Sequence, residues 1–474
     1  MDWDIVIGLE VHVQLNTETK AFCSCRVSYG DAPNTHVCPV CLGYPGSLPV
    51  LNREMVNSAV MLGLATQCRI RPFSKFARKN YFYPDLPKGY QISQYDDPIC
   101  YDGYVDIETG GVKKRIGLTR IHMEEDAGKS MHGETGTLID LNRCGTPLLE
   151  VVSEPDIASP QEAYAYLTTL KQIVRYTGIS DCNMEEGSMR CDANISIKPK
   201  GRKAFGTRTE LKNMNSFRNV ERALIYEAER QRRVLESGGT IVQQTLLWDD
   251  QSGSTKIMRS KEDSHDYRYF PEPDLSPVFV DDAWIETLRA ALPELPEARK
   301  RRFIRDLGLN EEDAAVLTSE KEIADYFEAV LERCHDPKQV NNWVRNEILR
   351  IASETGKSLN ASPVPPAELA GLLLILDKRE ITPQTAKAVL DDMAASGKSA
   401  AAVIAEKGLK QISDSGELEA LIESIIRENA AEALRYRNGE TKLLAFFIGL
   451  VMRATKGQAD QSLSRDILTA KLEP

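Results

Sequence analysis

The first candidate for chemistry is a polar stripe within an apolar run near the N-terminus, Ile7–Leu15. Side chains of a β-strand alternate between its two faces, so one face of this run is apolar and the other carries Glu10, His12 and Gln14. Carboxylate and imidazole groups side by side are typical of a site for a divalent metal ion or a phosphate. A half-exposed strand with a polar outer face is the alternative explanation for this segment alone.

The same pattern recurs further along the chain. Acidic residues are dense in segment 120–126, and Glu150, Asp192 and Glu210 each lie in a short run with apolar neighbours. If these segments are adjacent strands of one sheet, their polar faces form a floor lined by carboxylates. Such a floor suits Mg²⁺ that bridges the phosphates of ATP, because Mg²⁺ takes oxygen ligands and usually keeps substrate phosphates in its shell.

Cysteine spacing gives a second candidate site. Cys23 and Cys25 form one close pair, Cys38 and Cys41 form another, and a turn-rich loop separates the two pairs. Two close thiolate pairs on one loop are typical of a structural zinc ion with four sulfur ligands. The alternative is four free or buried thiols. The other six of the ten cysteines are isolated along the chain and are predicted to be packing residues.

Two stretches combine cations with aromatic or apolar residues. Lys79, Tyr81 and Lys88 belong to segment 73–99, whose tyrosines and basic residues favour binding of a single-stranded RNA end, although an ordinary tyrosine-rich hairpin fits equally well. A second group of basic residues flanks the apolar segment Leu443–Met452. This group predicts either a surface that binds folded RNA or a solvated helix face. The residues of this basic tail surface are Arg435, Arg437, Lys442, Arg453 and Lys456.

Length and composition place these sites in an ordinary globular protein of several domains. The 474 residues are 42% hydrophobic and 27% charged, with a net charge of -11. This charge argues against a protein that coats DNA, so no DNA partner is expected. The longest apolar stretch near the C-terminus is too short to span a bilayer and no targeting signal opens the chain, so we expect a cytoplasmic protein without a membrane partner.

The composition of the sequence and the spacing of its apolar residues change near residue 292. Before it, short alternating segments rich in Gly, Tyr and Pro are typical of an α+β domain. After it, apolar residues recur at helical spacing, with a Ser- and Pro-containing connector at 358–366. We predict three domains: a mixed domain at 1–292, a helical domain at 293–404 and a small helical domain at 405–474.

Several longer segments resemble the B subunits of the aspartyl/glutamyl-tRNA(Asn/Gln) amidotransferases, and the likeness runs essentially from end to end. The segments that carry it are GLEVH (8–12), VCPVCLG (37–43), KNYFYPDLPKGYQ (79–91), HMEEDAGK (122–129), MRCDAN (189–194) and DYRYFPEPDL (266–275). The resemblance implies an N-terminal cradle domain related in fold to glutamine synthetase and guanidino kinases, then a helical domain and a tail similar to the YqeY family. The tail motifs depart from the family pattern at 449–453 and 456–461, which weakens any prediction of individual tRNA contacts there.

The resemblance also implies an activity, cofactors and partners. Members of the family phosphorylate the side-chain carboxylate of Glu on tRNA(Gln) or of Asp on tRNA(Asn) with ATP, and ammonia then displaces the phosphate to give Gln-tRNA(Gln) or Asn-tRNA(Asn). The implied cofactors are ATP, Mg²⁺ and a structural Zn²⁺, and the implied partners are the misacylated tRNA, an amidase (glutaminase) A subunit, plus a small C subunit. Matched to this sequence, the implied Mg²⁺ ligands are Glu10, His12, Glu125 and Glu150. The further catalytic candidates are Asp192 and Glu210, and the residues expected at the acceptor end of the tRNA are Lys79, Tyr81 and Lys88.

Ammonia is expected to come from a partner, because the sequence contains no recognisable amidase or glutaminase signature. A carboxylate does not react with ammonia until its oxygen becomes part of a good leaving group, which phosphorylation provides. Two other classes of protein stay open. One is a non-catalytic, zinc-containing scaffold that binds tRNA, and the other is an ATP-dependent kinase or ligase that acts on a small carboxylate.

Overall fold

The computed structural model describes residues 2–133, 135–260, 267–409, 415–455, 459 and 461–473. The chain divides into two compact units, Met1–Pro296 and Glu297–Pro474. Lys456 of the basic tail surface and Asp266 of the DYRYFPEPDL segment lie outside the described residues. Among the described helices, none is long and apolar enough to cross a membrane.

The N-terminal unit combines strands and helices. Its strands are β1 (Trp3–Gln14), β2 (Arg69–Ile70), β3 (Phe73–Ser74), β4 (Ala77–Asn80), β5 (Tyr90–Ser93), β6 (Cys100–Thr109), β7 (Val112–Glu125), β8 (Lys129–Gly133), β9 (Gly136–Asp140), β10 (Pro147–Ser153), β11 (Met189–Pro199), β12 (Thr209–Lys212), β13 (Gln244–Asp249), β14 (Ser254–Ser260), β15 (Phe270–Pro271) and β16 (Val278–Phe279). Its helices are α1 (Arg53–Ala65), α2 (Pro160–Thr177), α3 (Phe217–Glu236) and α4 (Asp282–Ala291).

Within the described residues, nine of these strands form one large sheet in the order β14-β13-β12-β11-β1-β10-β7-β6-β2. Neighbouring strands are antiparallel except for β12 and β13, which are parallel. The polar stripe of the first strand lies at the centre, because β1 pairs with β10 on one side and with β11 on the other. Every acidic segment noted in the sequence is therefore a strand, or the end of a strand, in this sheet.

One face of the sheet forms the hydrophobic core of the unit. Leu9 and Val11 are fully buried on this face, and helices α1, α2 and α3 pack against it. Full burial of one such side chain contributes about 1.5–3 kcal/mol. The ends of α2 follow from its sequence: Ser159 accepts a hydrogen bond from the backbone N–H of Glu162, and Gly178, at a φ of 76°, ends the helix.

The other face of the sheet is polar and lies beside a smaller sheet. Strands β15, β4 and β5 form this three-stranded sheet, and β5 contacts β7 of the large sheet. Both β4 and β5 come from the tyrosine-rich segment 73–99. The small sheet places Lys79 of β4 near the polar face of the large sheet.

The C-terminal unit is built from helices. They are α5 (Pro296–Leu307), α6 (Glu311–Leu317), α7 (Lys321–Cys334), α8 (Pro337–Trp343), a π-helical segment (Val344–Ile348), α9 (Leu349–Thr355), a 3₁₀ turn (Leu359–Ala361), α10 (Pro366–Asp377), α11 (Pro383–Ser396), α12 (Ala400–Lys407), α13 (Ser415–Glu428), α14 (Ala430–Arg437), α15 (Leu443–Ala454) and α16 (Gln461–Leu472). One hydrophobic cluster includes Phe303 and Phe327, and a second includes Phe447 and Leu468. The mixed first part and helical remainder confirm the coarse fold predicted from the sequence.

Candidate active site

The polar face of the large sheet gathers acidic and imidazole groups from neighbouring strands. Residues directly opposite each other in antiparallel strands point to the same face. This register places His12 of β1 opposite Glu150 of β10, and Glu150 opposite His122 of β7. Glu10 lies on the same face, opposite Asp192 of β11. The floor of carboxylates expected from the alternation is therefore present.

The tightest group on this face consists of His12, Glu124 and Glu150, called the central cluster below. One ligand-type atom of each residue lies within 4.8 Å of the other two. Nε2 of His12 is 3.3 Å from Oε2 of Glu150 and 3.6 Å from Oε1 of Glu124. Both carboxylates are buried and His12 is partly exposed, so the cluster is accessible from the side of the imidazole.

These separations fit one divalent ion. Two ligands bound at about 2.1 Å on adjacent corners of an octahedron lie about 3 Å apart, which small side-chain shifts would achieve here. Two carboxylates and one imidazole suit Mg²⁺, and they also suit Mn²⁺, which accepts nitrogen more readily. Three protein ligands would leave coordination positions for water or substrate oxygens.

His122 lies beside both carboxylates of the central cluster. Its Nε2 lies 3.6 Å from Oε2 of Glu124 and 3.5 Å from Oε2 of Glu150. Nε of Arg120 donates to Nδ1 of His122 at 3.4 Å, so Nε2 is the nitrogen that carries the proton in the neutral ring. Its N–H thus faces the two carboxylates, a position typical of a residue behind metal ligands.

Burial and mutual charge set the protonation of this group. Burial alone would lower the pKa of His12, but the hydrogen bond to Glu150 and the charges of Glu150 and Glu124 raise that pKa to about 9. Burial alone would raise the pKa of Glu150, but the neighbouring His122, His12 and Lys79 bring it well below its usual value. Without a metal ion, His12 is thus protonated between two carboxylates, and a divalent cation would replace that proton.

Lys79 interacts with the same carboxylates from β4. Burial would lower the pKa of Lys79, but Glu124 and Glu150 raise it above its usual value, so the side chain stays charged. Its Nζ lies 4.9 Å from the ring centre of Tyr267 and 5.9 Å from that of Tyr81. Lys79 and Tyr81, two of the residues expected at the acceptor end of the tRNA, therefore lie next to the central cluster, where a fixed cation can bind phosphoryl or carboxylate oxygens.

Glu10 and the two further acidic candidates lie along the same face. Burial raises the pKa of Glu10, and the charge of Glu150 raises it further. Asp192 and Glu210 both form ion pairs with Lys212, at 3.0 Å in the case of Glu210. These acids form a second group beside the central cluster. Glu10 belongs to this group and also interacts electrostatically with Glu150 of the central cluster.

Glu125 lies on the opposite face of the sheet from Glu124. Successive side chains of β7 alternate, so Glu125 shares the core-facing side with Met123. Its Oε1 accepts a hydrogen bond from the backbone N–H of Ile92 at 2.9 Å and forms an ion pair with Lys88. The structure thus places Glu124, and not the expected Glu125, with His12 in the central cluster. Lys88 likewise lies with Glu125 and apart from the central cluster.

Sequence reasoning did not single out an arginine–aspartate pair that adjoins His12. Nη2 of Arg190 donates to Oδ2 of Asp126 at 2.7 Å, and the same oxygen accepts a hydrogen bond from Nε2 of Gln14 at 2.6 Å. Burial alone would raise the pKa of Asp126, but Arg190 and Arg143 lower it overall. Because Arg190 lies opposite His12 in the register of β1 and β11, its guanidinium is within reach of an anion at the central cluster. The alternation in MRCDAN puts Arg190 on the polar face, but its partner Asp126 belongs to a distant segment that this alternation does not reveal.

A cavity of about 700 Å³ adjoins Glu10 on the same face. Its floor is strand backbone and polar side chains, and its rim is the loop that follows β11. Nδ2 of Asn194 donates to Oε1 of Glu10 at 3.0 Å and so fixes the carboxylate at the cavity edge. The lining residues that matter for ligand chemistry are Gly8, Glu10, Asn194, Phe205 and Arg208.

Two glycines shape this cavity. A Cβ added at Gly8 would have the carbonyl oxygen of Ser153, 4.0 Å away, as its nearest neighbour, so the absence of a side chain keeps the floor open. A Cβ added at Gly206 would lie 2.1 Å from the carbonyl oxygen of Ile197. The loop that carries Phe205 can therefore approach β11 this closely only because residue 206 is glycine.

The four cysteines noted in the sequence come together. Their sulfur atoms lie within 4.8 Å of one another, and those of Cys38 and Cys41 are 3.9 Å apart. A tetrahedral zinc ion with bonds of about 2.3 Å requires sulfur separations of about 3.8 Å. The hydrogen bond between Cys23 and Cys41 lowers the pKa of Cys41 and raises that of Cys23, and burial raises the pKa of Cys25. All four sulfurs therefore become thiolates only when a cation compensates their charge. This group could bind zinc, and the six other cysteines are buried, as predicted.

Two arginines of the basic tail surface are held by contacts within the protein. Arg435 forms an ion pair with Glu440 at 2.7 Å. Arg437 donates to two backbone carbonyls at the end of α16, each at 3.3 Å. Lys442 and Arg453 are exposed. The described tail thus offers fewer available cations than the sequence predicted.

Comparisons with known proteins cover both units of the chain. A family profile described as GatB/GatE catalytic domain matches residues 5–286, and one described as GatB domain matches residues 325–472. The chain is 55% identical over 478 residues to the aspartyl/glutamyl-tRNA(Asn/Gln) amidotransferase B subunit of Geotalea daltonii, and 55% identical over 474 residues to that of Chlorobium chlorochromatii, with 100% of each chain covered. The protein of the same name from Carboxydothermus hydrogenoformans is 52% identical over 476 residues, with 99% of each chain covered. This chain therefore belongs to the family of aspartyl/glutamyl-tRNA(Asn/Gln) amidotransferase B subunits.

Proposed function

We propose that this chain activates the side-chain carboxylate of Glu on tRNA(Gln), of Asp on tRNA(Asn), or of both, at the expense of ATP. In the first step a carboxylate oxygen bonds to the γ-phosphorus, the bond from that phosphorus to the β–γ bridging oxygen breaks, and ADP leaves. In the second step ammonia attacks the carbonyl carbon, and phosphate leaves with one of the former carboxylate oxygens. The product is the amide, Gln-tRNA(Gln) or Asn-tRNA(Asn).

The observation that carries this proposal is the central cluster together with its cationic neighbours. A phosphoryl group could not approach Glu124 and Glu150 unless positive charge compensated for the two carboxylates. His12, Glu124 and Glu150 would hold Mg²⁺, and the bound ion would neutralise charge on the transferred phosphoryl group. Lys79 would bind the phosphoryl oxygens that the ion does not coordinate.

The cavity beside Glu10 is the proposed site of the nucleotide. Phe205 offers a ring that can pack on a purine, and Arg208 offers a guanidinium for phosphate oxygens. Glu10 lines this cavity, and Asp192 and Glu210 lie beside it on the same face of the sheet. Their proposed role is to hold the cation that accompanies the phosphates, so they remain candidate catalytic residues.

The aromatic residues beside Lys79 are the proposed receptor of the aminoacylated end of the tRNA. Tyr81 and Tyr267 meet edge to face with ring centres 5.9 Å apart, and Tyr267 meets Tyr269 in a similar way at 6.1 Å. Aromatic rings beside a cation favour stacking of a single-stranded base and contact with its phosphate. The amino acid at that end would then lie within reach of the central cluster. Lys88 is left out of this pocket because it is paired with Glu125.

The proposal requires other polypeptides. The relatives are named as the B subunit, which implies a complex of several chains. We propose an amidase (glutaminase) A subunit that releases ammonia from glutamine, and a small C subunit. The ammonia has to travel within the complex, because free ammonia is mostly protonated at neutral pH and ammonium is not nucleophilic.

The proposed architecture is finer than the division into two units. The catalytic domain at 1–292 is a cradle related to glutamine synthetase and guanidino kinases, followed by a helical domain at 293–404 and a YqeY-like domain at 405–474 that binds tRNA. The four cysteines bind a structural zinc ion, since their sulfur separations match a tetrahedral site. A role in making aminoacyl-tRNA for translation supports a cytoplasmic location.

The decisive experiment compares substrates for ATP cleavage. The chain is reconstituted with the A and C subunits, and ADP formation is measured with Glu-tRNA(Gln), with uncharged tRNA(Gln) and with free glutamate. The proposal expects ADP formation that requires the aminoacylated tRNA. Equal ADP formation with free glutamate would instead identify a kinase of small carboxylates, and absence of ADP formation with all three would identify a non-catalytic scaffold.

A further inference from the structure

A buried lysine faces the cysteine cluster. Lys20 is fully buried, and its Nζ donates to the carbonyl oxygens of His36 at 2.7 Å and Leu141 at 3.3 Å. The same Nζ lies 3.7 Å from Sγ of Cys41. Across the described parts of the chain, no carboxylate lies within ion-pairing distance of this ammonium group.

A charge in such a place requires compensation. A buried ammonium group loses its hydration, and this loss is offset only by hydrogen-bond acceptors and a nearby anion. The two carbonyls satisfy two of its three N–H groups, and the third is left for Cys41. Four thiolates around one Zn²⁺ carry two net negative charges, which would supply the anion that this ammonium group requires.

We propose that Lys20 is the counter-charge of a zinc–tetrathiolate centre and the residue that fastens this centre to the sheet. The inference rests on the zinc binding put forward above and adds a residue that is not a ligand. Removal of the ammonium would leave the thiolates less stabilised, so the ion would be bound more weakly.

The residue next to Lys20 links the cysteine loop to the turn that follows β7, the strand that carries Glu124. The backbone N–H of Ala21, next to Lys20, donates to the carbonyl of Gly145 at 2.8 Å, and the N–H of Gly145 donates to the carbonyl of Asp126 at 2.9 Å. Asp126 directly follows β7. Gly145 has a φ of 85°, and a Cβ there would lie 3.4 Å from Cδ of Lys20. The lysine side chain thus packs on the turn that joins the loop to the sheet.

The test is the zinc affinity of the full chain in three variants, measured by competition with a chromophoric chelator. Lys20→Met removes the charge and the donor, Lys20→Gln keeps a polar donor without the charge, and Lys20→Arg keeps the charge. Loss of a residue behind metal ligands weakens metal binding by about 10–100-fold, which is the expected effect in Lys20→Met and Lys20→Gln. Lys20→Arg is expected to stay closer to the wild type, because the positive charge remains.

Cobalt substitution gives a readout that a purely structural role would not move. With Co²⁺ in the site, the thiolate-to-cobalt absorption band should shift to longer wavelength in Lys20→Met and Lys20→Gln, because sulfur electrons are easier to remove without the nearby positive charge. Circular dichroism confirms folding, and if Lys20→Met does not fold, Lys20→Gln decides. Wild-type zinc affinity and an unshifted band in Lys20→Gln would overturn the role of Lys20 and leave the zinc site standing. A wild-type chain that binds no zinc would overturn both.

Discussion

Two adjacent substitutions, Glu124→Gln and Glu125→Gln, separate binding of the proposed metal ion from stability of the sheet. Glutamine keeps the size of the side chain and removes its charge. Because neighbours on a strand point to opposite faces, the structure predicts that these two changes have different consequences. Glu124 belongs to the central cluster, whereas Glu125 pairs with Lys88.

The expected size of each effect follows from these contacts. Even a residue behind a metal ligand contributes about 10–100-fold to metal affinity, so loss of a charged ligand in Glu124→Gln should weaken Mg²⁺ binding by at least about 100-fold, or about 2.7 kcal/mol. In Glu125→Gln the loss falls on stability instead, because the Lys88 side chain is only 6% exposed and loses its anionic partner. An uncompensated buried charge of this kind costs about 3–5 kcal/mol.

The assay pairs a metal titration with a thermal melt for each variant. Binding of Mn²⁺, followed by electron paramagnetic resonance and displaced by Mg²⁺, reports the metal site, and loss of circular dichroism on heating reports stability. Glu124→Gln should lose metal binding with a near-normal melting temperature, and Glu125→Gln should melt earlier with metal affinity essentially unchanged. Equal loss of metal affinity in both variants, or loss in Glu125→Gln alone, would refute the assignment of Glu124 to the metal site.

Further outcomes are expected for two glycines and for His12. Gly206→Ala adds a Cβ that would lie 2.1 Å from the carbonyl oxygen of Ile197, and overpacking of this kind costs about 1–3 kcal/mol. The loop should therefore be displaced, and ATP binding measured by fluorescence titration should weaken. Unchanged ATP affinity would exclude the cavity as the nucleotide site. Gly145→Ala forces a residue with a Cβ into a φ of 85° next to Lys20, which should lower the free energy of unfolding in urea by about 1–2 kcal/mol; an unchanged unfolding curve would contradict the tight turn. The pKa of His12 is raised from 6.5 to about 9, so its protonated form stabilises the metal-free protein fully below pH 6.5, and this contribution is lost as the pH rises through about 9. Since Mg²⁺ competes with that proton, its apparent affinity should rise about tenfold per pH unit between pH 7 and 9, and a flat profile would contradict the role of His12 as a ligand.

Much of the site could be predicted from strand alternation. The stripe in the first strand predicted that Glu10 and His12 share one face, and their partners on β10 and β11 lie on that face as well. The alternation in β7 also contained the information that separates Glu124 from Glu125. Ile121 and Met123 are apolar, so the residue two positions further, Glu125, has the core-facing parity, and Glu124 shares the polar face with His122.

The remainder depended on contacts that no local pattern encodes. The pairing of Lys88 with Glu125 joins segments that are far apart in the sequence, and the register between strands is set by the whole sheet. The grouping of the four cysteines could be predicted, because two close cysteine pairs on one loop are typical of a zinc site. In the tail, a count of basic residues overstated the available charge, since Arg437 is bound to the end of a helix and Arg435 to Glu440.

The central claim is that the substrate carboxylate receives a phosphoryl group before it becomes an amide. The most direct test uses Glu-tRNA(Gln) with ¹⁸O in both side-chain carboxylate oxygens, incubated with ATP, glutamine and the reconstituted complex. Mass spectrometry then measures the isotope content of the phosphate released during amide formation. Phosphorylation of the carboxylate predicts one ¹⁸O atom in each phosphate released. Phosphate without ¹⁸O, formed together with the amide, would contradict it.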